Sequence, residues 1–225
     1  MSEELDGLED DDAVRGDAAS DAAGDGRWSP GPVRLLTLLI GLWLFGAGEA
    51  LLVTAGLGNS PWTVLSQGLA DHVGSSIGVV TIVVSAVVLL LWIPLRQRPG
   101  LGTVLNVVLV GTSIDVTLRM VSRPGHVVAQ VAFVIAGIAV EALASGLYLG
   151  TALGPGPRDG LMTGLHRITG RSLLVCRAAI EGTVLVVGFL LGGTVGVGTV
   201  LFATLIGPSV QFAVRRLSAR PASVL

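Results

Sequence analysis

Gly100-Leu101-Gly102-Thr103-Val104-Leu105 is followed, 96 residues later, by Gly196-Val197-Gly198-Thr199-Val200-Leu201. The register extends backward without a gap. Gly58 meets Gly154, Pro61 meets Pro157, Leu65 meets Leu161, Gly68-Leu69 meets Gly164-Leu165, Gly74 meets Gly170 and Ser76 meets Ser172. Forward of it, Leu109, Gly111 and Ser113 meet Leu205, Gly207 and Ser209. Of the 75 positions from Gly41 to Asp115, 22 are identical to their partners at that offset. Glycine and proline in register mark backbone geometry rather than apolar character, so the pattern predicts a duplicated structural unit.

The surroundings of the repeat are lipid-like. The chain is 51% apolar and only 13% charged, with a mean hydropathy of +0.78, whereas soluble domains carry about a quarter charged residues. Six continuous apolar stretches follow: Leu35–Leu57, Ile77–Leu95, Leu101–Leu118, Val127–Leu153, Leu173–Leu191 and Val195–Val214. Each suits a helix crossing roughly 30 Å of hydrocarbon at about 1.5 Å per residue, and continuous runs argue for helices over a barrel. Between spans one and two, and again between four and five, lie Pro61–Val73 and Pro157–Thr169. Each begins with a proline suited to a first helical turn. Each ends at a glycine, Gly74 or Gly170, followed two residues later by a serine that can cap the next span. The fold class is therefore an all-α polytopic membrane protein of about six transmembrane helices, built as two three-helix units near 34–122 and 127–217 with short proline-led helices.

Three spans per unit is odd, so the second unit enters the membrane from the opposite side and the repeat is inverted. Arginine placement agrees: with the N-terminus inside, Arg27, Arg34, Arg96, Arg98, Arg158, Arg167, Arg171, Arg215, Arg216 and Arg220 are cytoplasmic and only Arg119 and Arg123 are outside. This gives a multi-pass protein of a bacterial inner membrane with both termini cytoplasmic.

Residues 1–26 hold ten of the sixteen acids against the single base Arg15. That composition reads as a disordered acidic tail before a membrane domain at 27–217, with a short tail at 218–225. An acidic start is also unlike a signal peptide. Several classes drop out. There is no lysine for a P-loop, no basic patch with interleaved aromatics for nucleic acid, and one cysteine, Cys176. His72, His126 and His166 lack ligand spacing, so neither a metal nor another cofactor is implied. Gly74-Ser75-Ser76-Ile77-Gly78 matches a nucleophile-elbow pattern but opens an apolar span, where Ser76 reads as a helix cap. No nucleophile and base pair is legible, so no enzyme is expected. Trp28, Trp43, Trp62 and Trp92 include three near expected membrane boundaries, as an aromatic belt would.

Three runs carry a resemblance: Gly56-Leu57-Gly58-Asn59-Ser60-Pro61-Trp62, the segment Trp92 to Thr103, and Gly154-Pro155-Gly156-Pro157-Arg158-Asp159-Gly160-Leu161. In order and spacing the chain resembles the YczE/YyaS/YitT group of bacterial integral membrane proteins, nearest the YczE branch, over about residues 33–217. The resemblance implies a polytopic bacterial membrane protein and assigns no catalytic residues. Without a stretch beyond Leu225, the soluble C-terminal domain of the YitT branch is not expected.

A charged side chain at a helix centre costs about 2.5–3.5 kcal/mol on insertion scales, so Glu49, Asp115, Glu141, Arg177 and Glu181 each need a partner, a cavity or an interface. Arg177 and Glu181 are four apart and can pair. Glu141, mid-span, is the best candidate for an ion-coupled or proton-accepting site, the alternative being a structural carboxyl. Glu49 and Asp115 lie nearer the span ends, where solvation explains them. If the short helices are re-entrant, their N-termini at Ser60-Pro61 and Pro157-Arg158-Asp159 can hold an anion; as interfacial connectors they leave Arg158 and Asp159 in headgroup water. Pro61, Pro157, Gly102 and Gly198 are structural markers of the repeat. The expected function is a small permease or secondary-transporter-like protein that meets the lipid bilayer and a small-molecule or ion substrate. The alternative is a membrane scaffold or assembly partner for a cytosolic protein.

Overall fold

The computed structural model describes residues 27–217; the two expected tails, 1–26 and 218–225, lie outside them. Eight helices and no strand are found among the described residues: α1 Pro32–Ala55, α2 Pro61–Val73, α3 Ile77–Leu90, α4 Leu101–Met120, α5 Val127–Gly150, α6 Pro157–Thr169, α7 Leu173–Leu190 and α8 Val197–Leu217. The short helices start and stop where the sequence says. Proline occupies the first turn of α2 and α6, and Gly74 and Gly170 close them in the left-handed conformation. Ser76 and Ser172 cap α3 and α7 by accepting from the Val79 and Val175 N–H groups.

Five helices are long and apolar enough to cross a membrane, and a sixth span exists only if α2 and α3, bent by 113° at their junction, are counted together. The expected second span is the one that differs. Its helix has 14 residues and ends at Leu90 rather than Leu95, a length of about 21 Å. Leu91–Arg96 is a turn instead, because Pro94 cannot continue a helix and Arg96 takes a positive φ of 48°. The aromatic-belt expectation fails for Trp62 and Trp92, which are both buried. Trp92 donates Nε1–H to the Pro157 carbonyl at 3.0 Å, and its ring occupies the space a side chain at Gly160 would need.

At the centre, α1 crosses α5. Side chains are missing where the backbones touch: a Cβ on Gly48 would lie 2.9 Å from the Gly137 carbonyl, and one on Gly41 would lie 3.2 Å from the Ala144 carbonyl. Adding 96 to Gly48 and subtracting 96 from Gly137 gives Ala144 and Gly41, so one contact is the offset copy of the other. The two cores behave alike. Leu38, Leu42, Val110, Ile114, Tyr148 and Leu153 form one cluster; their offset partners Val134, Ile138, Ile206 and Leu52 are members of the other, with Val210 and Leu57 packed against it.

The connections repeat too. The Gly198 N–H donates to the Leu57 carbonyl at 2.8 Å, and the Gly102 N–H donates to the Leu153 carbonyl at 2.9 Å. Each unit's loop is thus held by the last long helix of the other unit. Gly58 and Gly154 sit at φ 115° and 117°, where only glycine is relaxed, and a Cβ on either would run into Gly196 or Gly100.

One element breaks the correspondence. In the first unit α3 packs against α4, at the Gly78–Gly111 approach, and Asp115 accepts from the Ser76 hydroxyl and from the Gly78 N–H at 2.8 Å. In the second unit Leu174 and Gln211 replace Gly78 and Asp115. Among the described residues, α7 has no comparable packing on α8, and Gly207 faces open space where Gly111 meets α3. Instead α7 packs on α2, with Gly188 against the backbone of Val64 and Leu65.

Candidate functional site: two proline-led helices on a buried carboxylate

Glu49 is fully buried near the end of α1. The expectation of a solvated position does not hold, for a topological reason: the Leu57-Gly58 loop, tied down by Gly198, turns back so that α2 begins alongside α1 rather than beyond it. Ser60, the N-cap of α2, donates its hydroxyl to the Glu49 carboxylate at 2.8–2.9 Å, and the Thr63 hydroxyl donates at 2.7 Å. From the other unit Arg158, in the first turn of α6, reaches the same carboxylate at 3.4 Å while its guanidinium lies 5.2 Å over the Trp62 ring. The anion expected at the N-terminus of α2 is therefore the protein's own. Arg158 is 17% exposed, which removes the headgroup-water reading for this residue.

Glu141 faces this group from α5. A Cβ on Gly48 would come within 3.2 Å of the Glu141 Cβ, so the two carboxylates stand at neighbouring levels of crossing helices. Glu141 is buried, and its Oε2 has no hydrogen-bond partner among the described residues. A polar atom left so is costly in an apolar surrounding unless something else satisfies it. Asp159 accepts from the Tyr148 hydroxyl at 2.6 Å, with the Asn106 side chain across the backbone of Gly156. Three carboxyls, Glu49, Glu141 and Asp159, thus lie around the crossing with Arg158 among them, and the charge of Arg177 on α7 also acts on Glu141.

The remaining expected residues lie elsewhere. Asp115 is a helix cap, as above. Arg177 and Glu181 pair with each other at 2.9 Å on α7, as their spacing suggests. Pro61, Pro157, Gly102 and Gly198 build the two loops that carry the site. Reasoning from the sequence missed Thr63, Tyr148 and Asn106, and took Trp62 for a boundary residue. The pattern Ser60-Pro61-x-Thr63 is an N-cap signature that could have placed Thr63; nothing local signals Tyr148 or Asn106.

This arrangement defines a class: an α-helical polytopic membrane protein in which two proline-led helices from opposite halves of the chain meet at buried carboxylates. The chain belongs to the family described as "Family of unknown function (DUF6198)", which it matches over residues 32–215. It is similar to an uncharacterized protein of Haemophilus influenzae, 42% identical over 82% of this chain and 85% of that one. It is also similar to the uncharacterized membrane protein YczE of Bacillus subtilis, 30% identical over 83% and 84% of the two chains. The uncharacterized protein YyaS of the same species is 27% identical over 75% and 86%. These relatives place the chain in the YczE/YyaS group. No solved structure matches it.

Proposed function

We propose that the protein is a small ion-coupled permease of the bacterial inner membrane. Its two units are inverted, and its coupling site lies at the α1–α5 crossing. The observation that carries this reading is Glu49, fully buried and holding Ser60 and Thr63 of one proline-led helix and Arg158 of the other. Half-helices meeting near the bilayer centre at a repeat interface are the construction by which secondary transporters expose one site alternately to two sides. The offset-related loop contacts support the inversion, as does the arginine distribution, nine to two once the site residue Arg158 is set aside. Glu141, with its unpartnered oxygen, exchanges the coupling cation, a proton in the simplest case.

Two measurements test this. In proteoliposomes filled with a pH-sensitive dye, addition of a co-transported solute found by screening should drive protons across with wild-type protein and not with Glu141→Gln, while the variant inserts and folds normally. Equal proton movement in the variant rules out Glu141 as the coupling residue. For topology, Ser75→Cys and Arg171→Cys are exposed positions at equivalent places after α2 and α6. In a Cys176→Ser background an impermeant thiol reagent should label Ser75→Cys in intact cells and Arg171→Cys only after permeabilisation. Labelling of both from one side refutes the inversion.

A further inference from the structure

At the end of the molecule where α1 and α4 begin, the surface is a face of arginine. Arg27, Arg96, Arg98, Arg167 and Arg171 are all exposed there. Backbone contacts hold them together. The Leu101 N–H, three residues after Arg98, donates to the Arg27 carbonyl at 3.3 Å. The Arg167 guanidinium donates to the carbonyls of Leu95 and Arg96, the latter at 3.2 Å. Arg171 follows Gly170, which ends α6. Among the described residues none of these five arginines forms an ion pair. The acids of residues 27–217 are engaged elsewhere: Glu49, Glu141 and Asp159 at the crossing, and Glu181 with Arg177. Asp115, late in α4, caps α3, and Asp71 lies in the last turn of α2 near that cap, at the opposite end of the bundle.

Guanidinium groups without an internal counter-charge attract an anion, and their paired N–H donors match a carboxylate. The anion closest at hand is the chain's own. Residues 1–26 carry ten acids against one base and join the described chain at Arg27, in the middle of this face. The run Glu9-Asp10-Asp11-Asp12 ends 15 residues before Arg27, a reach of up to about 50 Å. From this we infer that the acidic stretch of residues 3–25 docks on the arginine face, so that the chain carries its own polyanionic cover for it. Because the stretch is joined covalently at the face, the encounter is intramolecular and independent of protein concentration. The pairs are between exposed charges, so ionic strength governs them. Anionic lipid heads seek the same guanidinium groups. The docked stretch competes with them, and the covered fraction falls as salt or anionic lipid rises. The inference uses charge and connectivity alone and does not rest on the transport reading.

The test is double electron–electron resonance on the full-length protein in phosphatidylcholine nanodiscs, in a Cys176→Ser background. One pair of spin labels is placed at Ala13→Cys and Ile168→Cys, the latter exposed in the last turn of α6 beside Arg167. The control pair is Ala13→Cys with Ser75→Cys, at the opposite end. At 0.01 M salt the first pair should show a short-distance population that the control lacks. Raising salt to 1 M cuts the Debye length from about 30 Å to about 3 Å and should abolish that population. Replacing Arg96, Arg98 and Arg171 together by Gln should do the same, with helix content unchanged by circular dichroism, because these side chains are exposed. Neutralising Glu9 to Asp12 as Gln and Asn is the reciprocal variant and should match it. Phosphatidylglycerol at half the lipid should also displace the stretch. A short-distance population that survives 1 M salt or the arginine substitutions overturns the docking. So does its absence at low salt, or an equal population in the control pair, and indifference to phosphatidylglycerol overturns the competition for one face.

Discussion

The Glu49–Arg158 pair joins the two halves of the chain, and its coupling energy can be worked from the geometry. At 3.4 Å two unit charges attract by about 5 kcal/mol at an effective dielectric of about 20. Desolvation of a fully buried carboxylate and a mostly buried guanidinium offsets much of that. Removing one partner strands the other, which costs about 3–5 kcal/mol. Glu49→Gln also weakens the bonds from Ser60 and Thr63 by roughly 1 kcal/mol each, because a neutral acceptor replaces an ionised one. That part is independent of Arg158. We therefore expect Glu49→Gln to be the worse single variant, Arg158→Met to follow, and the double variant to be about 2 kcal/mol more stable than the sum predicts. Reversible unfolding in bicelles, followed by circular dichroism so that the Trp62 environment does not bias the readout, measures all three. Additivity within about 0.5 kcal/mol would show that the pair is incidental and that Glu49 is held by Ser60 and Thr63 alone.

Two further outcomes follow from the packing. Asp115→Ala should cost about 1–2 kcal/mol and speed amide exchange at Gly78, since it removes the acceptor for Ser76 and the Gly78 N–H; Gln211→Ala, at the equivalent place, should change stability by less than about 0.5 kcal/mol. Gly58→Ala and Gly154→Ala should each destabilise by about 2–4 kcal/mol, because both combine a positive φ with a built Cβ within 2.7 Å of another atom, whereas Gly182→Ala, helical and open, should stabilise by about 0.5–1 kcal/mol. Thermal unfolding of the purified variants orders them, and a neutral Gly58→Ala would refute the loop geometry.

Glycine, proline and serine made the fold legible. Pro61, Gly74 and Ser76, with their copies Pro157, Gly170 and Ser172, set the ends of the short helices through backbone requirements that do not depend on what packs around them. Hydropathy was less discriminating. It read Leu91–Leu95 as more of the same span, because a turn of exposed Leu91 and Ile93 with buried Trp92 and Leu95 is as apolar as a helix in lipid. For the site, Glu141 and Glu49 announced themselves as acids in apolar runs. Their surroundings did not, because Arg158 reaches Glu49 across 109 positions of chain and only the folded loops bring them together. Asp115 shows the opposite error: a lone acid late in a span turned out to be a cap for a neighbouring helix.

The paired loop bonds, Leu57 with Gly198 and Leu153 with Gly102, have the form of an isologous interface, in which patch and counter-patch are the same surface seen twice. They are the contacts that a half-length chain would make with a second copy of itself across a two-fold axis. Fusing such copies into one gene frees each position from serving two places at once. Gly78 and Asp115 on one side, with Leu174 and Gln211 on the other, differ in the way such freedom would permit: a clamp present in one half and absent at the offset positions of the other.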